Sequence, residues 1–302
     1  MSTQTHAKTT LTPDALKPVL AKLQAANTAF AEAYPEQPAR LTHNLVGHAM
    51  FELDALASLA GRMRPGTALC FEGKVPVGVG QTDVPATGRT PQETIAAIER
   101  CGSWMVLKFI EQDPAYRALL DDLLGELEAL VRPVTGPMLQ REAFVFVSSP
   151  GAVTPFHFDP EHNILMQLRG EKVMTLFPVA DESLVPGTAH EAFHRHGRNN
   201  LEWDEGFAAR GLPFRLAPGD ALHVPVKAPH WVQNGDAPSV SLSITWRSGW
   251  SLREGYAHGM NRLLRRIGLS PRAPRRFPAE NHAKALAYRA IEKARRAGRI
   301  GA

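Results

Sequence analysis

The sequence contains few cysteines and no segment suited to crossing a membrane. Only Cys70 and Cys101 are cysteines among its 302 residues, which argues against a disulfide scaffold or a cysteine-rich zinc site. No uncharged apolar run reaches the length of a transmembrane helix. The N-terminal residues also contain no apolar segment of the kind found in signal peptides. We therefore expect a protein of the reducing cytoplasm.

The composition is that of a folded chain with unevenly distributed charge. Hydrophobic residues make up 44% of the sequence and charged residues 21%, enough for one large or two small domains. The net charge is +4, yet residues 247–302 contain fourteen Lys and Arg against three Glu. These basic residues are interleaved with apolar residues at helical spacing, which favours a solvated helical face over a nucleic-acid site. We expect neither nucleic acid nor membrane as a partner.

Residues 1–139 have the patterns of a mostly helical region that packs on a core. Helices are predicted after a cap at Thr12, within FELDALASLAGRM, after a capping box that begins at Thr90, and after a cap at Asp113. Residues 251–302 are again helical in pattern, and the segment MNRLLRRIGL within them has an apolar face. Two helical regions are therefore expected to flank the middle of the chain.

Between residues 140 and 250 the pattern changes to short strands. Six segments rich in β-branched and aromatic residues are separated by Gly, Pro and Asn, which predicts a sandwich or barrel. The segments RGEK and NGDAP have the composition of hairpin turns. Residues 181–211 form a long polar insertion, and insertions of this length are often functional or mobile.

One of these predicted strands carries a pattern typical of a metal site. In TPFHFDPEH, His157 and Asp159 are two residues apart, so on a strand they share one face while Phe156 and Phe158 point to the other. An imidazole and a carboxylate are two of the three ligands in the facial triad that binds non-haem iron(II). His230, which follows a proline at the start of a distant predicted strand, can supply the third ligand.

These motifs resemble those of the cupin-fold, JmjC-type iron(II)- and 2-oxoglutarate-dependent oxygenases, and most closely the subgroup of the asparaginyl hydroxylase that modifies hypoxia-inducible factor. The resemblance covers residues 140–250 and rests on VTPFHFDPEHNILMQLRGEKVMTLFP. It implies a mainly β, α+β protein with a double-stranded β-helix, or jelly-roll, core and flanking helices. It also implies that His157, Asp159 and His230 bind iron(II) and act in catalysis with 2-oxoglutarate and dioxygen.

The resemblance further implies which residues bind 2-oxoglutarate. Lys172, fifteen residues after His157, and Thr154, three before it, match the residues that hold its distal carboxylate. The remaining matches to the family pattern are Asn163, Gln167 and Thr245. The tyrosine of the family has no clear match, and GSWMVLKF offers two alternatives, Trp104 and Lys108.

The physical chemistry of Lys172 agrees with this role. Lys172 shares a predicted strand face with Met174 and Leu176, so it is expected to point into the barrel. A buried ammonium group without an anion is costly, and the distal carboxylate of 2-oxoglutarate would be that anion. The alternative is an exposed hairpin lysine, because GEK is also a common turn.

The other histidines have interpretations that compete with metal binding. His162 is out of register with the ligand face, which indicates an outer or surface residue, and His223 is interpreted as a core histidine. The cluster of His190, His194 and His196 lies in the polar insertion and is interpreted as solvated or substrate-facing, with metal binding as the lesser alternative.

The resemblance implies a hydroxylase that releases succinate and carbon dioxide and forms a homodimer through its C-terminal helices. Two substrate classes remain open: a polypeptide clamped by residues 181–211, or an acidic small molecule bound by Arg195, Arg198 and Arg210. A third hypothesis is a non-catalytic cupin that senses a ligand and carries a basic C-terminus, although a complete ligand set counts against it. The sequence has no reader domain or zinc-finger signature that would favour histone demethylation.

Overall fold

A computed structural model describes residues 24–80, 83–196 and 201–300 and shows two antiparallel sheets that face each other. The larger sheet has seven strands in the order β1-β9-β6-β11-β4-β3-β2, and the smaller has four in the order β5-β10-β7-β8. The strands are β1 Ala39–Thr42, β2 Ala68–Glu72, β3 Ser103–Lys108, β4 Leu139–Ser148, β5 Val153–His157, β6 His162–Arg169, β7 Lys172–Leu176, β8 Leu212–Leu216, β9 Asp220–Val224, β10 His230–Asn234 and β11 Ser239–Arg247.

Side chains from both sheets fill the space between them and make the pair a closed jelly roll. The larger sheet contributes Leu165, Leu222 and Val224, and the smaller contributes Met174 and Val232, among others, to one buried cluster. The predicted jelly-roll core with flanking helices is therefore confirmed.

Within the described ranges, seven α-helices flank the two sheets. They are α1 Gln24–Ala33, α2 Leu53–Arg62, α3 Pro91–Ala96, α4 Pro114–Thr135, α5 Gly187–His196, α6 Gly249–Arg266 and α7 His282–Ile300. Short 3₁₀ helices span Ala49–Phe51, Ile110–Gln112 and Glu205–Arg210. None of the helices in the described ranges is both long and apolar enough to cross a membrane.

Local sequence explains where the predicted helices begin. The Thr90 hydroxyl accepts a hydrogen bond from the Glu93 amide, and the Glu93 carboxylate accepts one from the Thr90 amide, so α3 starts with a capping box. Asp113 caps α4 by accepting from the Ala115 amide. The cap predicted at Thr12 lies outside the described residues.

Helix α4 forms the main packing layer on the larger sheet. Its leucines, among them Leu120, Leu124 and Leu127, are fully buried against residues of β4 and β6 such as Val145 and Met166. These residues recur at helical spacing on one side and at strand spacing on the other, which is the pattern the sequence predicted. Burial of this apolar surface stabilises the large sheet from behind and leaves its front face for the barrel interior.

The region predicted as mostly helical also contributes strands. β1 pairs with β9 at one edge of the larger sheet, while β2 and β3 extend the other edge beyond β4. Residues 1–139 therefore supply part of the sheet as well as the helices that pack on it. These strands contain only four to six residues, too few to show a clear alternating pattern.

The two predicted hairpins were wrong. The RGEK turn joins β6 in the larger sheet to β7 in the smaller one, and the NGDAP turn joins β10 in the smaller sheet to β11 in the larger one. Both turns are tight, but the strands they join pair with other strands instead of with each other. A turn signal reports a local reversal of the chain and does not specify which strands hydrogen-bond.

The insertion at residues 181–211 contains α5 and packs on the outer face of the smaller sheet. Leu184, Leu201 and Phe207 join Phe156 and Phe158 in a buried apolar cluster on that face. The apolar side chains of the described part of the insertion are thus used for packing.

Of the three arginines proposed to contact an acidic substrate, Arg210 has a described side chain, and it is engaged within the protein. Arg210 donates to the carboxylate of Asp181 at 2.8 Å and lies over the Phe207 ring. The side chains of Arg195 and Arg198 lie outside the described residues. Arg210 therefore stabilises the insertion instead of standing free.

Candidate metal and cosubstrate site

Three side chains converge at one end of the barrel interior. The Nε2 atoms of His157 and His230 lie 3.7 and 3.6 Å from the same carboxylate oxygen of Asp159. Their ligand atoms all lie within 4.8 Å of one another, and no other group of three such side chains in the described ranges meets this distance. β5 ends at His157, so Asp159 belongs to the following loop and not to the strand as expected.

The backbone fixes both imidazoles with Nε2 towards the common point. His157 Nδ1 lies 2.6 Å from the Pro155 carbonyl, and His230 Nδ1 lies 2.9 Å from the Ala228 carbonyl. Because a carbonyl only accepts, Nδ1 is the protonated nitrogen and Nε2 keeps its lone pair. This is the usual arrangement of metal-bound histidine, so the donor set fits a divalent ion such as iron(II).

The electrostatics keep Asp159 and His230 in their ligating forms. Burial alone would raise the pKa of Asp159, but His157, His230 and the more distant Lys108 hold it well below its usual range. Burial lowers the pKa of His230 to about 4, so this imidazole is neutral at physiological pH. A carboxylate and a neutral imidazole are the protonation states that a metal ion requires.

A β-bulge places Thr154 on the same interior face as His157. β10 pairs His230 with His157 but Val232 with Thr154, so the register shifts by one residue between these pairs. Residues that lie directly opposite each other point to the same side of a sheet. Thr154 therefore faces inward beside Val232, although a spacing of three on a regular strand would have directed it outward.

Lys172 lies deep in the same interior, away from the three ligands. On β7 it shares a face with Met174 and Leu176, and β10 pairs Asn234 with Lys172 and His230 with Leu176. Four residues of strand separate the two pairs, which is roughly 13 Å. A lysine side chain and a short dicarboxylate laid end to end span a distance of that order.

Lys172 is buried and unpaired within the described part of the chain. Its side chain is only 4% exposed, and it makes no hydrogen bond or ion pair with any described residue. Burial lowers the pKa of Lys172 to about 7. A buried cation in this state is expected to bind an anion, and the observation fits a cosubstrate carboxylate.

The other residues matched to the family have different positions. Asn163 faces the interior, where its Oδ1 accepts from Ser243 at 2.8 Å, and Thr245 lies opposite it on β11. Gln167 instead holds the turn after β6, donating to the carbonyls of Arg169 and Gly170. Asn163 and Thr245 therefore face the site, whereas Gln167 hydrogen-bonds the backbone of the turn.

The structure distinguishes the two candidates from GSWMVLKF. Trp104 stacks on Phe71 with ring centroids 4.6 Å apart and is buried in an apolar cluster. Lys108 pairs with Phe144 at the other end of β3, and its charge lowers the pKa of Asp159. Lys108 is therefore the one of the two that acts on the metal ligands.

The remaining histidines do not join the three ligands. His162 is fully buried behind the larger sheet, stacked on Trp246 and bonded to Ser248, so the surface alternative was wrong. His223 is a core histidine whose Nδ1 lies 2.9 Å from the Gln37 carbonyl.

The histidines of α5 were expected to be solvated or substrate-facing, and the two whose side chains are described are half-buried, with His194 also lining an open groove between α6 and α7. His190 and His194 pack against His258 of α6, with ring centroids 4.8 and 5.8 Å apart. Burial lowers the pKa of both. The side chain of His196 lies outside the described residues.

The sequence reasoning missed a buried ion pair behind the ligands. The Lys227 amide donates to the Asp159 carbonyl at 2.8 Å, and the Lys227 ammonium donates to Glu254 of α6. The other Glu254 oxygen lies 3.0 Å from His258 Nε2. Burial alone would raise the pKa of Glu254, but Lys227 and His258 hold it well below its usual range. A lysine three residues before His230 within an otherwise apolar run was the available signal.

This ion pair connects α6 to both ligand loops. Lys227 has a left-handed backbone, with φ of 62°, and lies between the strand that ends at Val224 and the strand that begins at His230. Its backbone holds the loop of Asp159 while its side chain holds α6. The position of two metal ligands therefore depends on a contact with the C-terminal region.

Replacing Asp159 by alanine should remove metal binding without unfolding the chain. The carboxylate is the only anionic member of the set, so affinity for Mn(II) should fall by more than the roughly 100-fold typical of losing an outer-shell partner. Calorimetric titration measures this, with the exposed Glu182→Ala as the control. Mn(II) affinity within a few-fold of the parent protein would remove Asp159 from the ligand set.

Replacing Lys227 by methionine should destabilise the protein because Glu254 stays buried without its partner. We expect a loss of about 3–5 kcal/mol in the free energy of unfolding, measured by denaturant titration. Adding Glu254→Gln should restore a large part of the loss, and Lys293→Met on the exposed face of α7 should change little. Equal losses in the single and double variants would contradict an unpaired charge as the cause.

Comparisons with known proteins agree with this geometry. The family described as Cupin-like domain matches residues 104–249. Over 102 residues the chain is 33% identical to Jumonji C domain-containing protein 5 of Drosophila melanogaster and 33% identical to Lysine-specific demethylase JMJ30 of Arabidopsis thaliana. Each alignment covers 32% of this chain and about a quarter of the relative, 25% and 24%.

The fold is also similar to a solved structure. The X-ray structure of E. coli ycfD superposes with a TM-score of 0.52 and 17% sequence identity, covering 87% of this chain and 66% of the other. At this identity the likeness concerns the fold. JmjC oxygenases use iron(II) and 2-oxoglutarate, and the site described above has groups that fit both. Residues 104–249 of this chain thus match a cupin-like domain, and about a third of the chain is similar to proteins named for a Jumonji C domain or as lysine-specific demethylases.

Proposed function

We propose that this protein is an iron(II)- and 2-oxoglutarate-dependent dioxygenase that hydroxylates its substrate. The observation that carries the proposal is the joint presence of two features in one barrel. His157, Asp159 and His230 converge at one end, and the buried, unpaired Lys172 lies deeper in the same interior. Either feature alone has a structural explanation, but the two together fit a metal and a chelating dianion.

The residues at the metal end hold and orient the ion. When bound, iron(II) with 2-oxoglutarate and dioxygen supplies the oxidising chemistry, in which one oxygen atom enters succinate and the other the new hydroxyl group, with release of carbon dioxide. His157 and His230 present fixed Nε2 lone pairs, and Asp159 provides the negative charge. Three protein ligands on one side leave the opposite side open for cosubstrate and oxygen.

The residues deeper in the barrel bind the far end of 2-oxoglutarate. Lys172 donates to the distal carboxylate, and Thr154, directed inward by the bulge, lies between Lys172 and the metal ligands on the same sheet. Thr245 and Asn163 face the interior from the larger sheet. The apolar side chains around them exclude water, which strengthens the ion pair.

Hydroxylation is the reaction that we favour, and demethylation is the alternative. Two relatives are named lysine-specific demethylases, and the same oxygen insertion at an N-methyl group would release formaldehyde. The non-catalytic ligand sensor is a further alternative. The complete ligand set counts against it, because a sensor has no need for a facial triad that leaves coordination positions open.

A homodimer and a cytoplasmic location are also proposals. Ile267 and Leu269, just after α6, are 73% and 53% exposed, and apolar residues so exposed are suited to contact a second copy. Cys70 and Cys101 are free thiols, as expected in a reducing compartment.

Binding of 2-oxoglutarate should weaken as the pH rises above about 7. The dianion binds the charged form of Lys172, whose pKa burial lowers to about 7, so above that pH the side chain must take up a proton on binding. Linkage then predicts about a tenfold rise in Kd per pH unit. Calorimetry at several pH values and in two buffers of different ionisation enthalpy measures the affinity and the proton uptake.

The Lys172→Met variant is the control for this titration. It should bind 2-oxoglutarate weakly at all pH values and without proton uptake, because methionine has a similar length and no charge. A parent protein whose affinity is constant between pH 6 and pH 9 would show that Lys172 does not bind the carboxylate.

Succinate formation tests the reaction itself. The iron(II)-loaded protein, given 2-oxoglutarate and then oxygen without added substrate, should form succinate slowly, and His157→Ala should form none. The exposed Glu182→Ala variant, prepared and loaded with iron(II) in the same way, is the control and should form succinate like the parent protein. If the parent protein binds neither iron(II) nor 2-oxoglutarate, the oxygenase proposal falls. If both bind and no succinate forms with candidate peptides or metabolites, the sensor is favoured.

A further inference from the structure

We propose that an open groove between α6 and α7 binds an acidic, partly apolar stretch of a polypeptide. That this polypeptide is the substrate rests on the proposed oxygenase function. The groove has a volume of about 910 Å³. Residues of α6 and α7 form most of its lining.

One lining residue of the groove, Arg247, contacts the loop that follows Asp159. Arg247 lies two residues beyond Thr245 on β11, at the end of the barrel where the three ligands converge. Its guanidinium donates to the Pro160 carbonyl at 2.6 Å and to the Glu161 carboxylate at 2.8 Å. Pro160 directly follows Asp159, so a chain lying in the groove would extend towards the reactive end of the barrel.

The charge of the groove selects an anion. Arg289, Lys293 and Arg296 line it from α7, and among the described residues of its wall Glu292 is the only acidic one. Lys293 and Arg296 are exposed and form no ion pair with any described residue, while Arg247 is already bonded to Glu161. Free cationic groups along one wall favour carboxylates on the occupant.

The groove also offers apolar surface. Leu286 is 63% exposed on α7, and Leu252 lies opposite it on α6 within the same groove. An occupant with carboxylates alone would leave this surface in water, whereas an acidic peptide with leucine-like side chains would cover it. An open groove of this size suits an extended chain better than a small metabolite, which needs enclosure.

The tyrosines of the groove argue against a nucleic-acid strand. Tyr256 and Tyr288 stack on each other with centroids 6.2 Å apart, and Arg289 lies 5.8 Å from the Tyr256 ring centroid. The Tyr288 ring also packs on Gly259, where a Cβ atom would lie 2.6 Å from the ring. These rings are engaged within the protein, and binding of single-stranded nucleic acid relies on free rings for base stacking.

Fluorescence anisotropy with a labelled peptide of repeated Glu-Glu-Leu units tests the inference on the full chain. We expect saturable binding that weakens with salt and falls at least about tenfold, or ~1.4 kcal/mol, in Lys293→Glu combined with Arg296→Glu. The matched control is Arg100→Glu combined with Arg117→Glu, which changes the net charge equally at exposed positions elsewhere. A Lys-Lys-Leu peptide should not bind.

The outcomes separate this inference from the oxygenase proposal because binding is measured without iron, 2-oxoglutarate or oxygen. Peptide binding without any succinate formation would support the groove as a peptide-binding site and contradict the oxygenase proposal. Equal losses in both double variants would show a general charge effect and overturn the groove. Tighter binding of polyuridine than of the peptide would also overturn the inference. Light scattering that shows a dimer, which must dissociate before the peptide binds, would overturn it as well.

Discussion

The pairing of β5 with β10 is the constraint on which the site depends. It places His157 directly opposite His230, seventy-three residues later in the chain, and backbone carbonyls two residues before each histidine fix the imidazoles. Asp159 then needs only the short loop after β5 to reach both Nε2 atoms. The bulge in the same pairing turns Thr154 inward. A single antiparallel ladder thus orients two ligands and one cosubstrate residue.

Two buried lysines illustrate how the barrel uses charge in two ways. Lys227 has its carboxylate within the protein, and the pair with Glu254 fastens α6 to the ligand loops. Lys172 has no protein partner in the described ranges, and burial depresses its pKa to about 7. The first arrangement is satisfied by folding alone. The charge of Lys172 becomes paired only when an anion enters. That pairing removes the free-energy cost of an unpaired buried charge and so favours binding of the anion.

Local patterns predicted the parts of the protein whose causes are local. The capping box at Thr90 and the cap at Asp113 start the helices as expected, since each depends on neighbouring residues. The inward face of Lys172 follows from strand periodicity, whereas Asp159 lies in the loop after β5 and was wrongly expected on the strand. The hairpins at RGEK and NGDAP failed because strand pairing is set by contacts far along the chain. The strands β1 to β3 were missed because strands of four to six residues carry little pattern.

The sequence by itself determined the chemistry that is available: two imidazoles, a carboxylate, a buried lysine and a basic C-terminal region. Residue types and short spacings specify these, because side-chain chemistry and the period of a strand are local properties. Only the tertiary structure decided that Thr154 faces inward, that Lys108 and not Trp104 acts on Asp159, and that α6 supports the ligand loops through Glu254. Each of these depends on a register shift or on a contact between distant segments, and such contacts form only when the two sheets and the helices pack together.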